Sequence, residues 1–247
     1  MIPLVSLTDL INGIISAAIA IRLTFVYLKN RNQAAKHFIA FYCAFAAAWL
    51  FWATPELVIS DPQLVMATNI LGYLGFFITS AIMIQLPFIF FPERRQWGLF
   101  LSTLIVTAAI IFLLGRLLNL QEHIREINGP YVYWKPVMAP WLRVLMGVSG
   151  ALGGIVSAAT FLYLGLKDKN NPLIFKRSLY LCAGLTVILL ASIFSFILFS
   201  GADFVGNAVG SVMVICGLLL MLRGIVYEER RHLANMPAPP TSSITAA

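Results

Sequence analysis

Long uncharged segments alternate with short clusters of charged residues along this chain of 247 residues. An α-helix rises about 1.5 Å per residue, so about 20 apolar residues cross a hydrocarbon layer of about 30 Å. Six uncharged segments are 19 to 31 residues long. A seventh apolar segment lies at the N-terminus and carries Asp9 and Arg22, which we expect to reach the membrane interface. The pattern predicts seven membrane-spanning helices, at about 4–28, 37–59, 63–91, 96–118, 138–166, 175–200 and 203–226.

The composition agrees with a membrane protein and excludes several other classes. Hydrophobic residues make up 60% of the chain and charged residues 11%, against about 45–50% and about 25% in soluble domains. This balance excludes a water-soluble globular fold and a disordered chain. Three cysteines are too few for a secreted domain held together by disulfides. Residues 179–199 are apolar on all sides rather than alternating, which favours helices over a membrane barrel.

We therefore expect an all-α membrane protein with a single seven-helix transmembrane bundle over residues 1–232. Residues 233–247 are rich in proline and serine, which predicts a disordered cytoplasmic tail. Twelve of the seventeen lysines and arginines fall on one side of the predicted spans. Because basic loops mark the cytoplasmic side, this asymmetry predicts an outside N-terminus and a cytoplasmic C-terminus in a cell membrane. The net charge of +7 then reflects insertion and anionic lipid rather than nucleic-acid binding.

The chain lacks the residue patterns of membrane enzymes and cofactor proteins. Its three histidines, His37, His123 and His232, lie in loops or at a helix end, so neither a haem ligand pair nor a zinc cluster is expected. The last predicted span contains no lysine for a retinal Schiff base. The chain also contains no Gly-x-Ser-x-Gly, His-Glu-x-x-His or Walker A motif. The sequence thus predicts a protein that is not an enzyme and has no cofactor or metal.

Polar and aromatic residues cluster in the predicted outer halves of the spans. Charged groups inside spans usually face the bundle interior and pair, so we expect Glu56 to pair with Arg143 or Arg116. Two interpretations stay open: these residues line a ligand pocket open to the outside, or they cap helices and fix their packing. On the first interpretation, the candidate ligand-binding residues are Trp52, Glu56, Asn69, Tyr73, Arg143 and Asn207.

The longest connection, about residues 118–136, lies on the predicted outer side and contains the turn signal Asn128-Gly129-Pro130. The aromatic run after this turn either lies over the bundle as a lid or lies in the headgroup layer. Trp134 and Trp141 are interpreted as anchors at the membrane interface. Pro87, within the third span, is expected to kink that helix.

Small residues recur on one face of the fifth and of the seventh span. The pairs Gly150/Gly154 and Gly206/Gly210 allow helices to approach closely in lipid. They predict either packing within the bundle or contact with a second copy of the chain. A further hypothesis is a repeat of three helices, because Phe25-Val26-Tyr27-Leu28 and Phe161-Leu162-Tyr163-Leu164 end the first and the fifth span alike.

The second and third spans resemble a known family of membrane domains. They contain Trp49-Leu50-Phe51-Trp52, then Glu56, then Asn69-Ile70-Leu71-Gly72-Tyr73-Leu74-Gly75 and Pro87-Phe88-Ile89-Phe90-Phe91-Pro92. This pattern resembles the N-terminal seven-helix sensor domain of bacterial histidine kinases. The resemblance implies an outside N-terminus, a bacterial plasma membrane and a sensory role. Since no kinase module follows Tyr227, it implies signalling through a partner protein.

The sequence leaves three functions in competition. The first is a receptor-like sensory module that binds a small or lipidic ligand from the outer side and signals through a partner. The others are a non-catalytic subunit of a membrane complex and a small transporter with two three-helix repeats around a linking helix. The expected partners are the lipid bilayer, the ligand and a protein or second copy, and no nucleic acid.

Overall fold

The computed structural model describes residues 2–31, 33–58, 61–195 and 204–234. Within these ranges the chain forms seven helices that are long and apolar enough to cross a membrane. They are α1 (Leu4–Asn30), α2 (Gln33–Val58), α3 (Pro62–Gln85), α4 (Arg95–Leu118), α5 (Pro140–Lys167), α6 (Pro172–Ile193) and α7 (Phe204–Ala234). The prediction of a helical, multi-pass membrane protein with seven long helices is therefore confirmed. The predicted ends of the second and sixth spans, the start of the seventh, and the tail beyond residue 234 lie outside the described residues.

Local sequence signals set several of the helix ends. Asp61 caps α3, where its carboxylate accepts a hydrogen bond of 3.0 Å from the backbone N–H of Gln63 and Pro62 occupies the first turn. Asn171 caps α6 in the same way, ahead of Pro172. At both ends a side-chain oxygen binds backbone N–H groups that have no partner within the helix, and the proline fits because it lacks an N–H.

Pro87 ends a helix rather than kinking it, which corrects the prediction. The α-helix stops at Gln85, and residues 86–89 continue as a short 3₁₀ helix. Proline has no N–H to donate to the carbonyl four residues earlier, which belongs to Met83. That carbonyl instead accepts hydrogen bonds from the backbone N–H of Leu86 and, at 2.8 Å, from the hydroxyl of Ser157 on α5. The Met83 carbonyl, which the proline leaves without its usual donor, is thus hydrogen-bonded to α5.

Six helices pack side by side in a closed ring. The neighbouring pairs are α1–α2, α2–α3, α3–α5, α5–α6, α6–α7 and α7–α1. Helix α4 packs against α3 and α5 and takes no place in the ring. Many of its large apolar side chains, such as Leu104 and Ile111, are exposed, as expected for a helix that faces lipid.

A β-hairpin follows α4 and covers one end of the ring, which we call the hairpin end. Its strands, β1 (Ile124–Asn128) and β2 (Tyr131–Lys135), are antiparallel, and the turn between them needs Gly129 because φ is +60° there. Ile2 pairs with the hairpin: its N–H donates to Pro130 O, and its carbonyl accepts from the N–H of Val132. Val132 and Trp134 are buried. Of the two alternatives for this segment, the structure shows the hairpin lying over the bundle.

The predicted glycine faces pack inside the bundle. A Cβ on Gly150 would meet the ring of Phe76 on α3, and a Cβ on Gly154 would meet Leu189 on α6. Gly210 lies against the segment at the end of α6, beside Ser195. Because these glycines are covered by their own chain, packing within the bundle is the alternative that the structure shows at these positions.

Candidate ligand cavity

A cavity of about 110 Å³ lies inside the six-helix ring, beneath the hairpin. Its described lining residues come from all six ring helices and from the hairpin segment, and none comes from α4. An engineered apolar cavity of about 150 Å³ is large enough to hold benzene. The space inside the ring therefore suits a few water molecules or a molecule about the size of a single aromatic ring.

One face of α2 provides an aromatic wall along the cavity. Its lining residues are Phe41, Phe45, Trp49, Trp52 and Glu56. Spacings of three and four residues place these side chains on one helix face, over about 22 Å of helix length. The rings contact one another in sequence, and Trp49 and Trp52 meet edge to face with centroids 5.2 Å apart. The wall is therefore apolar along most of its length and acidic at the hairpin end.

Glu56 accepts hydrogen bonds from α1 and α3 and is linked through the α3 residue to the loop before β1. Its carboxylate accepts a hydrogen bond of 2.8 Å from the hydroxyl of Ser6 on α1 and one of 3.3 Å from Nδ2 of Asn69 on α3. The same Asn69 Nδ2 lies 3.2 Å from Nε2 of His123, in the loop before β1. The acid thus joins α1, α2, α3 and the loop at the hairpin end.

Asp9 forms a second acidic group in the cavity, between α1 and α7. Its Oδ1 accepts a hydrogen bond of 2.6 Å from the hydroxyl of Ser211, and Asn12 Nδ2 donates to the Ser211 carbonyl at 3.3 Å. Asp9 is buried, and its side chain lies inside the ring rather than on the outer surface of the bundle. The first and last helices of the ring are therefore joined through an acid that lines the cavity.

His123 is a neutral hydrogen-bond acceptor in this network. An amide nitrogen only donates, so Nε2 of His123 accepts from Asn69 and the ring proton lies on Nδ1. Burial of the imidazole, and in second place the positive charge of Arg116, lower the pKa of His123 to about 4. The ring is therefore uncharged at neutral pH, in keeping with its role as acceptor.

Arg116 does not pair with Glu56, which corrects the first of the two predicted ion pairs. Its side chain is 0% exposed, and its Nη1 donates to the backbone carbonyl of Val137 at 2.6 Å. Nε and Nη2 make no hydrogen bond within the part of the chain that the structure describes. The guanidinium lies in the last turn of α4, where the exposed carbonyl ends of the helix favour a cation. It is not among the cavity-lining residues.

Five of the six candidate residues line the cavity together: Trp52, Glu56, Asn69, Tyr73 and Asn207. Arg143 is half-buried and is not among the lining residues. It lies on α5 seven residues before Gly150, the first α5 residue in the lining, and is therefore about 10 Å from it along the helix axis. The described hydrogen bonds of Glu56 come from Ser6 and Asn69, so the alternative pair with Arg143 is wrong as well.

Two of the cavity residues outside the candidate set, Trp134 and Ser211, show why the sequence alone did not find them. Trp134 was expected at the membrane interface, yet it is buried and lines the cavity from the hairpin. Ser211 had no signal of its own, because a serine on an apolar helix looks like any other small residue. Asp9 on the facing helix was the available clue, since an acid inside a span needs a hydrogen-bond donor nearby.

The repeat hypothesis gains no support from the environments of the matching residues. Phe25 is 68% exposed near the end of α1, whereas Phe161 is 2% exposed at the corresponding place in α5. The two short motifs therefore hold non-equivalent positions in the ring.

No model of a known protein family matches the chain, and no curated protein sequence matches it. The site must be interpreted from its own chemistry. Within the described ranges, no three histidine, cysteine, aspartate or glutamate side chains are grouped so that they could hold a metal ion. What the cavity offers is a polar, hydrogen-bonding end and a long aromatic body, which suits binding of a small amphiphilic molecule.

Proposed function

We propose that this protein is a receptor-like membrane module that binds a small amphiphilic molecule in the cavity inside the ring. The ligand enters from the hairpin end, which is the outer face in the orientation that the charge pattern favours. The observation that carries the proposal is the cavity itself, with Asp9, Glu56 and Asn69 at one end and aromatic rings along its length. We assign no reaction to the site and propose that the hydroxyls of Ser6 and Ser211 hold the two acids in place.

A route for the signal follows from the contacts of Asp9. Ser211 on α7 donates to Asp9, so a ligand that competes for this carboxylate changes the contact between α1 and α7. Helix α7 continues to Ala234, beyond the end of its apolar span at Tyr227. A movement of α7 would therefore reach a surface outside the membrane, where a partner protein can bind. The resemblance to bacterial sensor domains supports a bacterial plasma membrane as the location.

The proposal is tested with three small probes of similar size and different charge. These are 2-phenylethylamine, 2-phenylethanol and phenylacetate, each titrated against the purified protein in nanodiscs while its melting temperature is followed. A ligand that binds only the folded state stabilises it by RT ln(1 + [L]/Kd), so above Kd the melting temperature rises with the logarithm of the ligand concentration. We expect such a rise with at least one probe, and no rise with any probe would overturn the proposal.

A matched pair of variants shows where the probe binds. Ser192 lines the cavity on α6, while Leu190 on the same helix is 47% exposed. Ser192→Phe fills the cavity and should abolish the shift in melting temperature, whereas Leu190→Phe adds the same ring on the outer surface and should leave the shift intact. Equal shifts in both variants would place the probe outside the ring and contradict the proposal.

A further inference from the structure

Two acids in the cavity have no basic partner. Asp9 and Glu56 both line the cavity, and no lysine or arginine within the described ranges forms an ion pair with either. The two carboxyl groups are close enough to repel each other when both are charged. An isolated buried carboxylate is costly unless a counter-charge or a proton neutralises it. The two acids at the hairpin end of the cavity therefore call for a proton or a bound cation.

A third group at the same end, the side-chain amide of Asn69, has an oxygen that accepts no hydrogen bond from the described residues. Asn69 is 2% exposed and lines the cavity, and its Oδ1 makes no hydrogen bond with the described residues. Its Nδ2 is already directed to Glu56 and His123. Exchanging the amide nitrogen and oxygen would place an oxygen against the Glu56 carboxylate, so the orientation is fixed by charge. A buried acceptor left unpaired costs stability, and an N–H donor on a ligand would satisfy it.

Aromatic rings line the same cavity as these oxygens. Trp52 meets Tyr73 edge to face with ring centroids 5.6 Å apart and lies 6.2 Å from the ring of Phe76, and all three rings line the cavity. A cation near the face of an aromatic ring is attracted by the negative potential of that face, most strongly when water is excluded. An acid pair beside aromatic rings therefore favours a positively charged organic group over a neutral one.

We propose that the ligand is an organic amine: a protonated ammonium group that binds Asp9, Glu56 and Asn69 Oδ1, joined to an apolar body along the α2 aromatic wall. This inference rests on the proposed function and specifies the chemistry of its ligand. A carboxylate or phosphate would be repelled by both acids. The nearby buried cation, Arg116, does not line the cavity, and its Nη1 is bound to the backbone carbonyl of Val137.

The same three probes test the charge of the ligand. We expect 2-phenylethylamine to bind about tenfold or more tightly than 2-phenylethanol, and phenylacetate to bind least, in nanodiscs at neutral pH. Glu56→Gln and Asp9→Asn should each lower the affinity for the amine about tenfold while leaving that for the alcohol nearly unchanged. Glu93→Gln, at an exposed acid away from the cavity, is the matched control and should bind the amine as the wild type does.

The outcomes separate the two proposals. Equal affinity for amine and alcohol, or a preference for phenylacetate, would overturn the amine inference while the cavity remains a ligand site. If sodium chloride raises the melting temperature more than choline chloride does, and the amine has no effect, the acids bind a metal cation instead. That result would also overturn the amine inference. If none of the three probes binds, the proposed function itself fails. Binding of the alcohol by Glu56→Gln and Asp9→Asn shows that each variant is folded.

Discussion

The two halves of the helix ring contribute different chemistry to the cavity. Helices α1–α3, which we call the acidic half, bring Asp9, Glu56, Asn69 and the aromatic rings. Helices α5–α7, which we call the small-residue half, bring mostly glycine, alanine and serine, together with Asn207 and a few aliphatic side chains. No titratable side chain from the small-residue half is among the described lining residues. One half thus carries the groups that we propose recognise a ligand, and the other carries the small side chains that leave space between the helices.

This difference has a physical reason. A charged group inside a membrane is costly, so it must face the bundle interior and be hydrogen-bonded, as the half-buried Glu56 is by Ser6 and Asn69. Large aromatic rings on the same helices fill most of the volume around it. Space for a ligand then remains only if the facing helices carry small side chains, which also let their backbones approach closely. The residues proposed to recognise a ligand and the closely packed small residues therefore lie on different helices.

The largest expected effect comes from enlarging a glycine of the small-residue half. A Cβ on Gly217 would lie 2.8 Å from the carbonyl oxygen of Gly184 and 2.6 Å from Ile188 Cγ1. Gly217→Leu should therefore force α6 and α7 apart and lower the free energy of unfolding by more than about 3 kcal/mol, as measured by unfolding of the purified protein in mixed micelles. Val212→Leu, at an exposed position of α7, is the control and should change little. An unchanged stability of Gly217→Leu would show that the two helices are not in close contact.

His123, which contacts Asn69 of the acidic half, should make the stability of the protein depend on pH. The pKa of the folded protein's His123 is lowered to about 4, while an unfolded histidine has a pKa of about 6.5. Above pH 6.5 both states are neutral. As the pH falls from 6.5 to 4, the unfolded chain takes up a proton that the folded protein does not, and stability falls by about 3 kcal/mol.

His123→Gln isolates this contribution, because glutamine can accept from Asn69 but does not titrate. Melting curves of the wild type and of this variant between pH 7.5 and 4.5 should diverge below pH 6.5, with the wild type losing more stability. Parallel curves over the whole range would contradict a buried, neutral His123.

A smaller effect is expected from Asn69, which links the acid to the hairpin end. Asn69→Leu leaves Glu56 and His123 without their shared donor and should lower the free energy of unfolding by about 2 kcal/mol. Thr68→Val is the neighbouring control, since Thr68 bonds only to carbonyls of its own helix. Equal losses of unfolding free energy in the two variants would mean that the hydrogen bonds from Asn69 to Glu56 and His123 contribute no stability of their own.

The sequence predicted the helices well and the contacts between them only in part. Helix number follows from the length of uncharged segments, a local property. Five candidate residues line one cavity because polar groups in spans face the interior, which is again a local argument. The partner of Glu56 was wrong, since choosing Ser6 and Asn69 over Arg116 depends on helix rotation and depth, which no short pattern encodes. The spacing of Phe41, Phe45, Trp49 and Trp52 was readable in the sequence, but it does not distinguish a cavity wall from ordinary core.

The position of a bound heavy atom is the most direct test of whether an amine binds inside the helix ring with its ammonium group at Asp9 and Glu56. A crystal structure with 2-(4-bromophenyl)ethylamine, measured at the bromine absorption edge, locates the apolar end of the molecule without interpretation of weak density. The account predicts an anomalous peak inside the ring, between the α2 aromatic wall and the small-residue half, with the ammonium group at Asp9 and Glu56. A peak on the lipid-facing surface, or bromine beside the two carboxyl groups, would contradict it.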